Sequence, residues 1–389
     1  MGIEPIYLDH AATSPIWPDV LEAMMPYLTS EYGNPSSVYG PGRRAKHTLE
    51  KCRGRVAELL GVGPAEIVFT SGGSESNNAV CRQYTDLVIT SPVEHESVKE
   101  SVKRLPSSGM VIMVSPDATG RISPESVETA LYSDNRSSGG TGLASFMAVN
   151  NELGTINPIE EIGHVLARFG FRFHTDAVQA AGIMDLSHLA TCVDYMTLSG
   201  HKLGGPKGVG ALFVKAGAPW RSFIAGGSQE QERRAGTENV AGIVGFTRAL
   251  ERSVENRIAS VKKMRELRDQ LVGGLSSALS HQIRFNSPPG DLSSPHISNF
   301  VCLDDEGQGL DGEMLILGLD MAGVYVSAGS ACSSGTMKAS AVLTSLGMNE
   351  QVARGAIRIS INPRTTKSEI SEAIERINQT VSRMTGVSS

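Results

Sequence analysis

The chain has 389 residues, 41 acidic against 35 basic, for a formal charge of −6. So mild an acidic excess exerts no pull on nucleic acid or an anionic membrane, and neither partner is expected. The length supports a substantial core and predicts one large and one smaller domain.

The N-terminal stretch MGIEPIYLDHAATSP has neither a basic start nor an apolar run of signal-peptide length. No segment reaches the ~18 apolar residues of a membrane span, so a cytoplasmic protein is expected. Short β-rich runs follow: IVFTS (67–71), LVITS (87–91), MVIMV (110–114), FMAVNN (146–151), FRFHTD (171–176) and YMTLSG (195–200). They alternate with stretches of helical period, which predicts a mainly parallel α/β sheet. In PIEEIGHVLARFG (158–170), Pro158 suits a first helical turn, Glu160 and Glu161 favour its positive end, and Gly170 ends the helix. The stretch SDNRSSGGTG (133–142) reads as a surface loop. From Glu238 to about His281 the pattern is almost continuously helical. Within it Lys262, Lys263, Arg265 and Arg268, interleaved with Met264, Leu267 and Leu271, read as a solvated helix face. Strands near SNFVCL (298–303) and IRISI (357–361) then mix with helices at 311–322 and 366–384, the last opened by a capping box from Thr366 to Glu369.

In α/β sheets ligands gather beyond the carboxyl ends of the strands, so the residues following each strand are the candidates. After IVFTS, the glycines of GGSESNNAV permit a tight turn, and Ser74 opens a helix whose free N–H groups suit a phosphate; Glu75 is expected to point away. The G-x-x-x-x-G-K-[ST] pattern of a nucleotide loop is absent, so ATP is not indicated. After LVITS comes His95, able to stack on a flat ring or exchange protons, although a structural histidine is the plainer reading. FMAVNNELG brings Asn150 and Asn151, whose amides can donate to a ring oxygen or a carboxylate. FRFHTDAVQ delivers Asp176 and Gln179. A strand-end carboxylate in a dry cleft can keep a pyridine nitrogen protonated, and it can equally cap a helix. In SGHKLGGPKG (199–208), Ser199 ends a strand, and His201 and Lys202 lie in the turn. The glycines and proline strip bulk from around Lys202 and leave room for something flat joined to its amine. A phosphate-binding helix start, a stacking histidine, a ring-nitrogen aspartate and an amine nucleophile together form the set that pyridoxal 5′-phosphate needs.

With these residues in view the sequence resembles the cysteine desulfurases of the class V aminotransferase group, in the NifS/IscS-like branch. The resemblance runs from LDHAATSP (8–15) through GNPSS (33–37), FTSGGSESNN (69–78), EHESV (94–98), VNNELGT (149–155), HTDAVQ (174–179), SGHKLGGPKG, RRAGTEN (233–239) and SAGSACSSG (327–335) to RISINPRTT (358–366). It implies the fold type I of pyridoxal phosphate-dependent transferases. That fold is an α/β architecture whose large domain, 16–255, holds a mainly parallel seven-stranded sheet flanked by helices. A smaller α/β domain, 1–15 with 256–389, carries a mobile cysteine loop at about 327–338. It further implies a Schiff base on Lys202, His95 stacked on the pyridine, Asp176 at its nitrogen, and Asn151 and Gln179 near its phenolic oxygen. Gly73, Ser74, Ser199 and His201 hold the phosphate, and Thr237 reaches the phosphate of a neighbouring subunit, so a homodimer is implied. Asn151 and Arg358 bind the carboxylate of L-cysteine, for which an arginine fork is apt.

Five cysteines, Cys52, Cys81, Cys192, Cys302 and Cys332, show no C-x-x-C pair and no metal-ligand spacing, so neither a disulfide framework nor a metal site is expected. Four read as small packed residues. Cys332, in AGSACSSG, has no large neighbour to pin it, and a desulfurase needs a thiolate on a segment that can swing toward an acceptor. The expected reaction converts L-cysteine to L-alanine, with a persulfide on Cys332 passed to a sulfur-acceptor protein such as an iron–sulfur scaffold. A selenocysteine lyase, another class V enzyme or a non-catalytic sulfur-relay scaffold are the alternatives. The C-terminal RMTGVSS does not match the scaffold-docking tail of housekeeping desulfurases.

Overall fold

The computed structural model describes residues 4–133, 142–328 and 339–386. Among them thirteen strands occur, in chain order: β1 (Ile6–Tyr7), β2 (Ile67–Thr70), β3 (Leu87–Thr90), β4 (Met110–Met113), β5 (Leu143–Ser145), β6 (Arg172–Asp176), β7 (Tyr195–Ser199), β8 (Gly210–Val214), β9 (Ile283–Phe285), β10 (Ile297–Cys302), β11 (Val324–Tyr325), β12 (Ser327–Ala328) and β13 (Ala356–Ser360). The large sheet runs β2-β8-β7-β6-β5-β3-β4. Only β8 opposes its neighbours, pairing antiparallel with β2 and β7, so the carboxyl ends of β2, β3, β5, β6 and β7 share one edge. Every residue of β2, β5, β7 and β8 is buried. That fits strands covered on both faces, and it explains their apolar runs.

Within the large sheet the structure moves one strand and adds another. FMAVNN is not the strand itself: β5 is Leu143–Ser145. The chain beyond it still follows β6, with Phe146 N donating to His174 O at 3.1 Å and Ala148 N to Asp176 O at 3.0 Å, so the apolar run reports burial rather than strand limits. Strand β8 follows two glycines that mask its apolar run GALFV as part of the preceding loop.

Pro158 caps the Ile159–Arg168 helix, and Gly170 beyond it takes φ 74°. The long helical pattern divides into Val240–Glu255 and Arg257–Leu279. On the second, Lys262, Lys263 and Arg265 are exposed, but Arg268 is buried, against expectation. It lies one turn from Met264 and Leu271 on the core-facing stripe, and its guanidinium donates to the carbonyls of Ser293 and Gly290 at 3.1 and 3.2 Å. The Thr366 capping box opens the Lys367–Thr385 helix.

Among the described residues four apolar clusters form, of which two are large. One lies against the large sheet and includes Phe146, Phe173, Met196, Phe213 and Phe246. The other gathers Leu8, Leu267, Leu271, Phe300, Ile357 and Ile377 around a second sheet, β12-β13-β10-β9, and the parallel pair β1-β11. Each fully buried leucine or phenylalanine stabilises its core by roughly 2 kcal/mol over exposure. Among the described residues no helix is long and apolar enough to cross a membrane.

Candidate active site

Parallel strands deliver their last residues to the same sheet edge, and five of the sequence candidates arrive there in that way. The turn after β2 leads into the Gly73–Cys81 helix, that after β3 into the Glu96–Val102 helix capped by His95, and β6 and β7 end on Asp176 and Ser199. His201 and Lys202 occupy the short 3₁₀ turn, Gly200–Lys202, that follows β7.

Asp176 is buried, its Oδ1 accepting from Val178 N at 3.0 Å and its Oδ2 from Asn77 Nδ2 at 2.6 Å. No helix follows at once, so the capping reading does not apply. Asn77 also donates to Ser97 Oγ at 2.9 Å, and Ser97 N and Oγ lie 3.1 and 2.8 Å from His95 Nδ1, so one amide connects the aspartate to the histidine turn. Below Asp176 on the same face of β6, His174 bridges three strands, with Nδ1 2.8 Å from Ser145 Oγ and Nε2 3.0 Å from Thr197 Oγ1. Complete burial pushes its pKa down to about 4, so it is a neutral strut inside the sheet. His95 reaches the surface of the cleft, yet the protein around its ring also lowers its pKa, chiefly by desolvation.

The turn before Ser74 depends on glycine. Gly72 takes φ 137°, and a Cβ on Gly210 of β8 would come within 2.4 Å of Leu198 O and 2.8 Å of Gly72 Cα. The two backbones therefore press together, leaving the first N–H groups of the Gly73–Cys81 helix at the sheet edge beside Ser199, whose Oγ lies 3.6 Å from where a Gly72 Cβ would stand. Glu75 does point away: Arg234 holds it at 2.9 and 3.1 Å, and it accepts from Ser71 N at 2.8 Å, so its pKa is lowered despite burial.

Lys202 Nζ donates to the carbonyls of Ala11 and Ala12 at 2.5 and 2.7 Å. Desolvation, followed by the nearby Arg358 charge, brings its pKa down to about 8. A neutral amine is thus within reach near physiological pH, as an amine nucleophile or base requires. Gln179 shares the Ala11 carbonyl at 3.0 Å and meets His296 Nε2 through its Oε1 at 3.1 Å. His201 Nδ1 lies 3.3 Å from Thr13 Oγ1, and burial lowers its pKa to about 4.

The second sheet contributes Arg358, in the middle of β13 and 6% exposed. One end of its fork donates to Asn151 O at 2.9 Å, the other to Asp9 Oδ1 at 2.9 Å and Ser327 Oγ at 2.8 Å, while its Nε has no partner among the described residues. Asn150 organises the adjoining turn: its Oδ1 accepts from Glu152 N and Leu153 N, and its Nδ2 donates to Val93 O. Glu152, next in the turn, is almost wholly buried and contacts Ser340 Oγ at 2.5 Å, and burial raises its pKa to about 7.

This arrangement is matched along almost the entire chain. The aminotransferase class-V family model covers residues 6–372. The chain belongs to the class V aminotransferases. A curated relative, Cysteine desulfurase IscS of Dictyoglomus turgidum, is 37% identical over 391 aligned positions, covering 98% of this chain and 96% of the relative. Among solved structures, one titled NIFS-LIKE PROTEIN superposes with a TM-score of 0.87 at 35% identity, covering 97% of this chain and all of that one. Another, SspA in complex with cysteine, does so with a TM-score of 0.78 at 33% identity, covering 92% and 99%.

Cys332 and most of the 327–338 stretch lie outside the described residues. Thr237 is exposed in the loop before the Val240–Glu255 helix. That loop is anchored from behind: Glu230, buried with φ 48°, is gripped by both ends of the Arg53 fork at 2.8 Å each and accepts from Phe69 N at 2.8 Å. Cys52, Cys81 and Cys302 are buried, and burial pushes the thiols of Cys81 and Cys302 up to about 12, which suits inert packing; Cys192 is half-buried. Among the described residues no cluster of potential metal ligands forms. Sequence reasoning missed Asn77, Asp9 and Ser327, which orient Asp176 and Arg358. The first two lie inside FTSGGSESNN and LDHAATSP, but nothing local in those strings names their partners.

Proposed function

We infer that this class V protein is a cysteine desulfurase, taking the sulfur of L-cysteine and leaving L-alanine. The observation that carries this reading is the convergence of an amine of lowered pKa, a buried carboxylate, a histidine and an open helix start on one sheet edge. The full-length likeness to a relative named Cysteine desulfurase IscS, and the likeness to a structure titled SspA in complex with cysteine, support the same substrate.

The residues fit pyridoxal phosphate. A Cβ on Gly72 would enter the space toward Ser199 Oγ, 3.6 Å away, that the glycine leaves open beside the helix start. Asp176 is a carboxylate able to accept a ring N–H, held in place by Asn77. In this proposal Gly73, Ser74, Ser199 and His201 hold the phosphate, His95 covers the ring, Asn151 and Gln179 address its oxygen, and Lys202 carries it. The cofactor supplies an electron sink when bound. Arg358 fixes the substrate carboxylate with its fork, turning a collision into an oriented encounter. The Lys202 amine moves the proton at the substrate α carbon, with His95 beside it.

Cys332, as thiolate, then attacks the substrate sulfur. A new S–S bond forms and the C–S bond breaks, with its electron pair returned to the carbon skeleton. Protonation of that skeleton yields L-alanine, and the persulfide on Cys332 passes to an acceptor protein such as an iron–sulfur scaffold. A homodimer in which Thr237 reaches the neighbouring phosphate, a cytoplasmic setting, and the division into 16–255 and 1–15 with 256–389 belong to the same proposal; the core that joins Ile6 and Leu8 to residues between Met264 and Val381 supports the last.

The test is the purified protein with L-cysteine. It should be yellow, form alanine and sulfide in equal amounts under reducing conditions, and lose sulfide release in Cys332→Ala while still changing colour on cysteine addition. A colourless protein, or a Cys332→Ala variant with full sulfide release, would overturn the reading.

A further inference from the structure

Against the Lys202 turn lies a cavity of about 370 Å³; Lys202 and Gln179 line its active-site side, but His95, Asp176 and Arg358 do not line it. Its walls come from the N-terminal segment, the end of the Val240–Glu255 helix, the start of the Arg257–Leu279 helix and the 361–364 turn after β13, so both cores contribute. Besides Lys202, the cations Arg252, Lys263 and Arg364 line it, and among the described residues lining it there is no aspartate or glutamate. Trp17 organises two of these cations: its Nε1 donates to Leu203 O at 3.0 Å, while its ring receives the Arg252 guanidinium at 4.0 Å and that of Arg364 at 5.2 Å. Arg252 has a distant counter-charge in Asp19, at 3.6 Å, and Lys263 Nζ donates to Pro363 O at 2.6 Å. Arg364 makes no ion pair among the described residues.

The two histidines that line the cavity are neutral. His10 has its pKa lowered to about 4 and His296 to about 3, both chiefly by desolvation, with Arg364 adding to the first and Arg358 to the second. Asp9, whose charge acts against the His10 shift, is itself bound to Arg358. Three cations besides Lys202 thus face a partly enclosed space, and no carboxylate lines it among the described residues. Such a field attracts a counter-anion of matching size.

We propose that this cavity is a binding site for a small oxyanion of two or more charges, clamped by Arg252, Lys263 and Arg364 across the seam between the two cores. The shared chemistry is that of phosphate and of short dicarboxylates. A bound anion would also feel the active site, because His296 touches Gln179, and Gln179 and Lys202 share the Ala11 carbonyl.

The test is calorimetric titration of the full-length holoenzyme, dialysed free of phosphate, with inorganic phosphate and separately with succinate, sodium chloride holding the ionic strength constant. Saturable binding of either probe at one per chain, weakened at least tenfold in a Lys263→Gln, Arg364→Gln double variant, is expected. The probe that binds more tightly identifies the source class. Both substituted side chains are exposed, so the variant should keep the wild-type unfolding midpoint and its turnover of cysteine in anion-free buffer. No saturable binding of either probe, or equal binding by the double variant, would overturn the proposal.

Discussion

On the wall formed by the large sheet, Asp176 ends its strand and Lys202 lies three residues beyond the end of its own, whereas Arg358 sits mid-strand and is held by Asp9, 349 residues away. The first wall is set by backbone geometry: parallel strands must end at one edge, and short turns after them leave little freedom. The second is set by a charge pair taken out of water, in which Asp9 shares the orienting of Arg358 with Ser327 Oγ and the Asn151 carbonyl. Changes on the first wall should therefore remove chemistry and spare the fold. Changes on the second should alter substrate capture.

Lys202→Ala is the sharpest test of the first wall. Its turnover, measured as alanine release, should fall at least ~10³-fold, in line with removal of a base and carrier amine, while the unfolding midpoint stays near that of wild type. A large loss of stability would show that the lysine holds the Ala11–Ala12 segment rather than serving catalysis. On the second wall, Arg358→Gln should lower kcat/KM for L-cysteine about 100-fold, or ~3 kcal/mol, mainly through KM, because a two-pronged contact to the carboxylate is lost. A loss confined to kcat would count against the carboxylate role.

At the junction of the walls Glu152 titrates. Its folded pKa of about 7 lies above the ordinary 4.5, so the native state holds more protons than the unfolded one between those values, and stability falls as pH rises through that window. Urea unfolding should show wild type losing about 2 kcal/mol between pH 5 and pH 8 relative to Glu152→Gln, which carries no titrating group there. Parallel pH profiles for the two proteins would sink this. The smallest effect belongs to Asp9→Asn: Ser327 and the Asn151 carbonyl still hold the Arg358 fork, so KM for cysteine should change only about tenfold.

A contrast of the same kind separates what was legible in the string of residues from what was not. FRFHTD and YMTLSG announce strands by their apolar β-branched and aromatic content, and the residues that follow them announce the site, because strand ends are local events. The Thr366–Glu369 capping box and the glycines before Ser74 are local in the same sense, each resolved within a few residues of chain. Arg268 misled for the opposite reason. Its charge marks a solvated face, but its place one turn from Met264 and Leu271 puts it inward, where only the carbonyls of a distant loop make its burial tolerable. Asn77 on Asp176, Asp9 on Arg358 and Ser340 on Glu152 likewise join residues 99, 349 and 188 positions apart. The sequence by itself thus determined the alternation of strands and helices, the edge at which chemistry gathers and the family. Tertiary structure decided which polar partner each buried charge meets, since pairing across such separations leaves no periodic trace and arises only when segments far apart in the chain pack together.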